Sequence, residues 1–316
     1  MVTHEQSEAV IPRVDDPVAR FSADWNRRAF SYKHSLADHP LFQPEQLAGL
    51  ARRLPQSEDF VFWRNGKTGI DGQWVDDTPP THSITDTLLN MEETDSLVIL
   101  KHAEQDPEFG PVLQEFIRAY TNHLLPEQLN DILMGEALIF VNSPNRVTHY
   151  HMDGEAVIVA QICGTKSFRV FDQTDRDILP LTEIEDYCRG NPDAAVLKPH
   201  HLDRSPIYEL GPGDGVHIPV NAPHCAESGN DVAISITFTF DLKSAIKRRR
   251  LHLLNYHLRK RGLPVLSIGA APLLEGAINQ GLKLAARLSR RPHSQSTVAN
   301  YPVWTPNGIQ PRMVFD

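Results

Sequence analysis

The sequence predicts a mainly β domain with flanking helices, and three observations lead to that fold class. From about residue 132 to 240, short apolar and β-branched runs alternate with Gly and Pro, which is typical of a compact antiparallel barrel. The segments before and after have apolar residues at helical spacing instead. At 316 residues, with 41% hydrophobic and 22% charged residues, the chain has the size and composition of a globular protein with a sizeable core.

The β region contains several short predicted strands and one long irregular interval. The interval, residues 172–205, has the length of a lid or a binding loop. It includes a short predicted helix at Leu181–Tyr187 and the pair His200 and His201, which could contact a ligand. The predicted strands are Glu136–Val141, Thr148–Asp153, Ala156–Cys163, Lys166–Phe171, Pro206–Leu210, Gly215–Ile218 and Ala233–Phe240.

Helical patterns lie on both sides of the β region. After Asp241, the sequence predicts a basic amphipathic helix that ends at Gly262 and a second helix at 272–288. The elements predicted before the β region are helices at 44–54, 84–91 and 106–122 and a buried strand at 96–100. The expected regions are a mobile tail at 1–20, a barrel domain at 21–240, and a basic helical region with a tail at 241–316.

Charge is distributed unevenly along the chain. The net charge is -9, but residues 241–316 carry 13 Lys and Arg against 3 Asp and Glu, whereas residues 1–240 carry 18 against 37. A basic segment can bind nucleic acid. Here the basic residues lie in amphipathic helices with apolar stripes, which favours packing against the acidic body or pairing of two subunits. We expect a homodimer formed through the C-terminal helices, and we do not expect nucleic-acid binding.

Cysteine usage and hydropathy indicate the cytoplasm. Cys163, Cys188 and Cys225 are an odd number and lie far apart, which argues against a disulfide framework and for a reducing compartment. No apolar run reaches the roughly 18–20 residues of a membrane span. The first 17 residues are polar and acidic and lack the apolar core of a signal peptide. We expect a cytoplasmic protein without a membrane segment.

The stretch from Thr148 to Phe171, THYHMDGEAVIVAQICGTKSFRVF, carries the candidate chemistry. His151 and Asp153 are two residues apart, so on a β-strand both side chains would point to one face. A third ligand must come from elsewhere, and His224 in HIPVNAPHCAES is the best-placed candidate. Two histidines and one carboxylate with open positions are the ligand set of non-haem Fe(II) oxygenases.

Two further residues of this stretch indicate an anionic ligand. Lys166 could point into the same barrel, and a buried ammonium needs an anionic partner to offset its desolvation. Thr148 offers a hydroxyl nearby, although simple strand parity places it on the face opposite His151, so its role requires a bulge or a strand end. A dicarboxylate keto acid could bind the metal at one end and Lys166 with Thr148 at the other.

These motifs resemble the JmjC/cupin-like family of Fe(II)- and 2-oxoglutarate-dependent oxygenases, in particular the asparaginyl hydroxylases that act on hypoxia-inducible factor. The segment GPGDGVHIPVNAPH, which ends at His224, is similar to the strand and loop that carry the family's distal histidine ligand. The resemblance covers about residues 132–240. The patterns T-x-x-H-x-D and A-Q-I-x-G-x-K are formed by Thr148, His151, Asp153, Ala160, Gln161, Ile162, Gly164 and Lys166.

The resemblance implies a fold, a site and a reaction. The fold would be a double-stranded β-helix (jelly-roll or cupin) core with N-terminal helices and a C-terminal helical pair. His151, Asp153 and His224 would bind Fe(II). Thr148 and Lys166 would bind the distal carboxylate of the co-substrate 2-oxoglutarate, and O2 would be the oxidant. The implied activity is hydroxylation of an unactivated C–H bond, with a protein or peptide side chain favoured as the substrate.

The chain also departs from the asparaginyl hydroxylases at positions that bear on the substrate. Val157 stands where those enzymes have an asparagine four residues after the ligand aspartate, and Thr237 and Thr239 lack their amide. The substrate therefore stays open, and a small metabolite or a free amino acid is the alternative to a protein.

Two other functions fit parts of the same sequence. His149, His151 and Glu155 form H-x-H-x-x-x-E, the first metal motif of ordinary cupins, and His224 would complete a site with three histidines and one glutamate. This alternative leaves Lys166 unexplained. The second alternative is a non-catalytic metal-binding regulator whose basic helices contact nucleic acid or a partner protein.

Overall fold

The computed structural model describes residues 18–66, 69–73, 78–289 and 302–311. The predicted N-terminal tail lies outside these residues, apart from residues 18–20, which begin the first helix. The described residues form two antiparallel sheets with helices around them, which confirms the predicted fold class.

The helices flank the β region as the sequence predicts, and the predicted bounds of α2, α3, α4, α6 and α8 agree with the observed ones to within three residues. Their bounds are α1 Val18–Asp24, α2 Pro44–Arg53, α3 Ile84–Leu89, α4 Phe109–Thr121, α5 Pro126–Asp131, α6 Leu181–Cys188, α7 Lys243–Lys260 and α8 Pro272–Ser289.

The strands include all seven predicted in the β region and several that the sequence analysis did not identify. Their bounds are β1 Phe30–Lys33, β2 Val61–Asn65, β3 Ser96–Lys101, β4 Ile132–Asn142, β5 Val147–His151, β6 Ala156–Cys163, β7 Lys166–Val170, β8 Ile207–Leu210, β9 Asp214–Ile218, β10 His224–Ser228, β11 Ala233–Leu242, β12 Pro302–Thr305 and β13 Gly308–Pro311.

The chain alternates between the two sheets, as in a jelly roll. The larger sheet has the order β1-β9-β6-β11-β4, extended on β4 by the β3–β2 pair and by the β12–β13 hairpin. The smaller sheet has the order β5-β10-β7-β8. Between β4 and β11, consecutive strands mostly belong to opposite sheets, so their inward-facing side chains meet across one interior space.

The main apolar core lies outside the barrel, between the larger sheet and the N-terminal helices. Helix α4 buries the face that its sequence predicts, including Phe116, Ile117 and Tyr120. The ring of Phe116 stacks on Phe238 of β11 with 5.6 Å between ring centroids. A Phe-to-Ala change in such a core typically costs about 3–5 kcal/mol, so α4 and β11 stabilise each other strongly.

A second apolar cluster covers the outside of the smaller sheet. It contains Tyr150 and Phe171 from the barrel, Ile184 from α6, and the half-buried Leu253 of α7. The long interval after residue 171 therefore packs as an ordered layer between β5 and α7. Helix α7 is in turn attached to α6 by the ion pair of Arg259 with Glu185.

The C-terminal part of the chain returns to the larger sheet. The β12–β13 hairpin pairs with β4 at Gly135, and Trp304 is buried against Phe240. The sequence predicts an extended tail in this region, and Asn307-Gly308 is a dipeptide typical of a hairpin turn. Pairing with β4 makes this segment part of the larger sheet. No helix among the described residues is long and apolar enough to cross a membrane.

Candidate metal and ligand site

Three side chains meet at the end of the smaller sheet. His151 is the last residue of β5, His224 is the first residue of β10, and the two are directly paired across the strands. Asp153 follows β5 and lies with its carboxylate 3.9 Å from His151 Nε2 and 3.6 Å from His224 Nε2. The ligand atoms of all three lie within 4.8 Å of one another. Bonds of about 2.0–2.2 Å could therefore join all three to one ion after small side-chain adjustments.

Backbone hydrogen bonds fix which nitrogen of each histidine faces the centre. His151 Nδ1 lies 2.8 Å from the carbonyl oxygen of His149, and His224 Nδ1 lies 2.9 Å from the carbonyl oxygen of Ala222. A carbonyl oxygen only accepts, so each Nδ1 carries the hydrogen and donates it. Both Nε2 lone pairs are left to face the aspartate, which is the tautomer that a metal ligand needs.

The local electrostatics also favour a neutral imidazole at His224. Burial, followed by repulsion from His151, lowers the pKa of His224 to about 4, and Asp153 only partly opposes this fall. Metal ligation requires the deprotonated ring. His224 is therefore ready to bind an ion at neutral pH.

A bulge between β5 and β10 brings Thr148 to the same side as His151. His224 pairs with His151 and Ala226 pairs with Thr148, so three steps along β5 match two steps along β10. One extra residue in a strand reverses the alternation beyond it. Thr148 and His151 accordingly line one cavity, as the sequence hypothesis required.

The cavity extends from the histidines into the barrel, with a volume of about 220 Å³. Its walls are mostly apolar, from residues such as Phe140, Val159 and Phe168. Lys166 lies in its wall and is only 3% exposed, whereas the Asp153 side chain is 32% exposed. The metal-ligand end is thus the one nearer solvent, and Lys166 lies at the closed end.

Lys166 is buried with neutral partners. Its Nζ donates to Asn142 Oδ1 at 2.9 Å and to Ser235 Oγ at 3.3 Å, and the rings of Phe140 and Phe168 flank it. No carboxylate in the described part of the chain forms an ion pair with it. Burial accordingly lowers the pKa of Lys166 to about 7. A ligand carboxylate in this cavity would supply the missing counter-charge.

The residues of the alternative cupin motif do not join this group. Neither His149 nor Glu155 belongs to the set of close ligand atoms formed by His151, Asp153 and His224. His149 is 3% exposed, and its ring centroid is 5.7 Å from that of His151. Within the described residues, the site therefore has the two-histidine, one-aspartate composition.

The pair His200 and His201 lies elsewhere, in a second cluster with Asp177. His201 Nε2 is 3.1 Å from Asp177 Oδ2, but Arg204 donates to the same oxygen at 2.6 Å. The guanidinium already neutralises this carboxylate and would repel a metal ion. We therefore interpret the cluster as an ion pair that closes the 172–205 segment, and these histidines do not contact the barrel cavity.

Two residues that hold the Lys166 ammonium were not predicted from the sequence: Ser235, which lines the cavity, and Asn142, which lies behind the lysine. Asn142 lies on β4 and Ser235 on the adjacent strand β11. Asn142 pairs with Ala233, and Ser235 pairs with Phe140, so the two residues are diagonal neighbours. Polar residues at buried strand positions were the signal that could have identified them, because such groups need a partner.

Comparison with known proteins gives a fold relationship. No family model and no curated protein matches the chain. An X-ray structure of Escherichia coli YcfD matches with a TM-score of 0.53 and 18% identity, covering 90% of this chain and 70% of that one. YcfD described as a ribosomal oxygenase in complex with cobalt and 2-oxoglutarate matches with a TM-score of 0.52 and 18% identity, covering 89% and 69%. The chain therefore has the fold of these oxygenase structures.

Proposed function

We propose that the protein is an Fe(II)- and 2-oxoglutarate-dependent dioxygenase that hydroxylates a C–H bond of a protein side chain. One observation carries the proposal. A single cavity has a two-histidine, one-aspartate group at its open end and, at its closed end, a buried lysine that has no carboxylate partner in the described part of the chain. The shared fold with YcfD, whose structures include a complex with cobalt and 2-oxoglutarate, supports the same activity.

The donor set fits a divalent iron ion. Two neutral imidazole nitrogens and one carboxylate oxygen, all from one side, form the facial triad that leaves coordination positions for co-substrates. When bound, iron with 2-oxoglutarate and O2 would supply the oxidising chemistry for C–H hydroxylation, with succinate and carbon dioxide as the other products.

The remaining residues of the cavity would hold and orient the keto acid. The Lys166 ammonium, oriented by Asn142 and Ser235, would pair with the distal carboxylate, and the Thr148 hydroxyl would donate to it. The apolar walls exclude water and so strengthen these interactions.

The entrance of the cavity favours a cationic target. Glu136 and Asp241 lie two residues beyond the cavity-lining Leu138 and Thr239 on β4 and β11, so they face the same side near the open end. Burial, followed by repulsion from Asp153 and Asp241, raises the pKa of Glu155 to about 8, and Arg249 opposes this rise only in part. Glu155 is therefore largely protonated at neutral pH and adds little charge. We propose that Glu136 and Asp241 select a positively charged side chain.

The decisive experiment combines turnover with product identification. Purified protein, Fe(II) and 2-oxoglutarate are added to a cell lysate, and succinate release is measured beside mass spectrometry for products heavier by one oxygen. We expect labelled peptides modified at a cationic residue and no signal with Asp153→Ala. A labelled metabolite would assign a small-molecule substrate instead, and absence of 2-oxoglutarate turnover with every lysate would contradict the proposed activity.

We also propose that two copies pair through the C-terminal helices. On α8 the buried positions include the polar Glu275 and Asn279, whereas Leu273, Leu274 and Leu284 are 93%, 56% and 58% exposed. An apolar helix face turned to solvent is typical of an interface. Light scattering should give a dimer for the wild type and a monomer for the double variant Leu273→Glu/Leu284→Glu, and an unchanged mass would contradict this assignment.

The domain organisation and the cellular location of the protein are also proposals. We propose an oxygenase domain at residues 21–240, followed by a basic region at 241–316 that consists of helices and a tail, with the β12–β13 hairpin as part of that tail. The three cysteines are free, which fits a reducing cytoplasm.

A further inference from the structure

Asp153 does not lie on a strand, so its position depends on the connection between β5 and β6. Two hydrogen bonds hold this connection. The backbone N–H of Asn221 donates to the carbonyl oxygen of Asp153 at 2.8 Å, which ties the connection to the loop before His224. The backbone N–H of Gly154 donates to the hydroxyl oxygen of Tyr187 at 2.9 Å.

Tyr187 also packs directly against the connection. A Cβ atom added to Gly154 would lie 3.2 Å from Tyr187 Cε1 and 3.4 Å from its hydroxyl oxygen, so any other residue here would require the ring to shift by a few tenths of an ångström. The tyrosine therefore limits the movement of Gly154 by both a hydrogen bond and steric contact. Asp153 is the adjacent residue, so its carboxylate is restrained with it.

The helix that carries Tyr187 is itself firmly held. Glu185 on α6 is 1% exposed and accepts two hydrogen bonds from Arg259 of α7, at 2.9 and 3.0 Å. A bidentate, charge-assisted pair of this kind is geometrically specific. Tyr187 and Leu253 of α7 both pack against the second apolar cluster. The position of Tyr187 is thus set by elements outside the barrel.

We propose that Tyr187 is a positioning residue for the metal ligand Asp153. It holds the Gly154 amide and thereby keeps the Asp153 carboxylate facing the two Nε2 atoms before an ion binds. The inference rests on the proposed metal site and deepens it. Groups that orient metal ligands from behind commonly change metal affinity by about 10–100-fold when removed. Tyr187 acts through the adjacent amide, so the lower end of that range applies.

The test uses two matched variants of the full chain. Tyr187→Phe removes the hydroxyl and keeps the ring against Gly154. Tyr208→Phe removes a comparable hydroxyl, which donates to the carbonyl oxygen of Ala29 at 3.0 Å and does not line the cavity. Co(II) affinity is measured by calorimetry and ligand geometry by the visible absorption of the Co(II) protein. We expect the Co(II) Kd to rise about 10-fold with an altered spectrum for Tyr187→Phe, and neither change for Tyr208→Phe.

A readout without metal tests the same restraint. Hydrogen exchange of the metal-free protein should accelerate in the peptide that covers Met152–Glu155 for Tyr187→Phe and stay unchanged for Tyr208→Phe. Unchanged Co(II) affinity and spectrum in folded Tyr187→Phe would overturn the positioning role while leaving the proposed function intact. Wild-type protein that binds Co(II) but never consumes 2-oxoglutarate would overturn the proposed function alone.

Discussion

Replacing Lys166 by methionine should stabilise the ligand-free protein and abolish its response to 2-oxoglutarate. Lys166 is buried beside two neutral partners, so in the absence of a ligand its desolvated charge destabilises the folded state. Methionine has a similar length and no charge to desolvate. Opposite effects on stability and on ligand binding would identify Lys166 as a residue kept for an anion.

The size of the effect follows from the pKa of Lys166. Burial lowers that pKa from 10.5 to about 7. Each tenfold change in proton affinity is worth about 1.36 kcal/mol, so the full penalty is on the order of 5 kcal/mol. Methionine also loses two hydrogen bonds of about 1 kcal/mol each. The expected net stabilisation is about 2–3 kcal/mol at or below neutral pH.

The stability difference between Lys166→Met and the wild type should depend on pH. The folded-state pKa of Lys166 lies below the unfolded-state value, so the unfolded chain binds more protons between pH 7 and 10.5. The buried charge should therefore destabilise the wild type fully below pH 7, and wild-type stability should increase as the pH rises toward 10.5. The advantage of Lys166→Met should shrink over the same range.

Urea unfolding measures both the stability change and the ligand response. The metal-free protein is unfolded at pH 7 and pH 9.5, and the Mn(II) protein is unfolded with and without 2-oxoglutarate. At 100 times its Kd the keto acid should stabilise the wild type by about 2.7 kcal/mol and the variant hardly at all. Lys101→Met is the control, because Lys101 donates to Glu58 outside the cavity and its loss should leave the ligand response intact. A variant that is less stable than wild type at pH 7, or that keeps the full ligand response, would refute the reasoning.

Three further predictions concern the same cavity. Lys166 must be protonated to pair with a carboxylate, and its pKa is about 7. The Kd of 2-oxoglutarate, measured by calorimetry, should therefore rise by up to about tenfold per pH unit above pH 7. A Kd that stays constant up to pH 9 would argue against the pairing. Thr148→Val should weaken 2-oxoglutarate binding by about 5–10-fold, the loss of one hydrogen bond, with unchanged Co(II) affinity. Asp153→Asn should reduce Co(II) affinity at least about 100-fold, whereas Glu155→Gln should retain it; the reverse pattern would favour the cupin motif.

The metal end of the site was largely predictable because its signal is local. The spacing of His151 and Asp153 brings the two side chains close together, although β5 ends at His151 and the connection that follows, rather than strand alternation, positions Asp153. The helices at 44–53 and 109–121 were predictable for the same reason, since their apolar spacing repeats every turn. Chemistry that depends on one short segment can be inferred from that segment.

The region after His224 shows what local patterns do not reveal. The pattern around His224 predicts a loop, whereas this histidine begins β10 and pairs with His151. HCAES has little apolar alternation, and the strand forms because β5 and β7 lie on either side of it. Partners from distant parts of the chain, rather than intrinsic preference, determine such a strand.

The ligand end of the site depended on long-range geometry. Thr148 reaches the cavity through a bulge, which shifts the register by one residue and has no signature in the order of residues. Lys166 meets Asn142 and Ser235, which lie 24 and 69 residues away. Tyr187 lies on α6 and contacts Gly154 because α6 is held in place by its packing against α7.

The sequence alone predicted the fold class, the three candidate metal ligands and an anionic partner for Lys166. These depend on residue chemistry and on periodicity, which are properties of short segments. Tertiary structure decided that the ligands and the lysine share one cavity, that Thr148 faces it, and which neutral groups surround the ammonium. Those outcomes depend on strand register and on side chains that meet across the two sheets, and register is fixed by packing of the whole barrel.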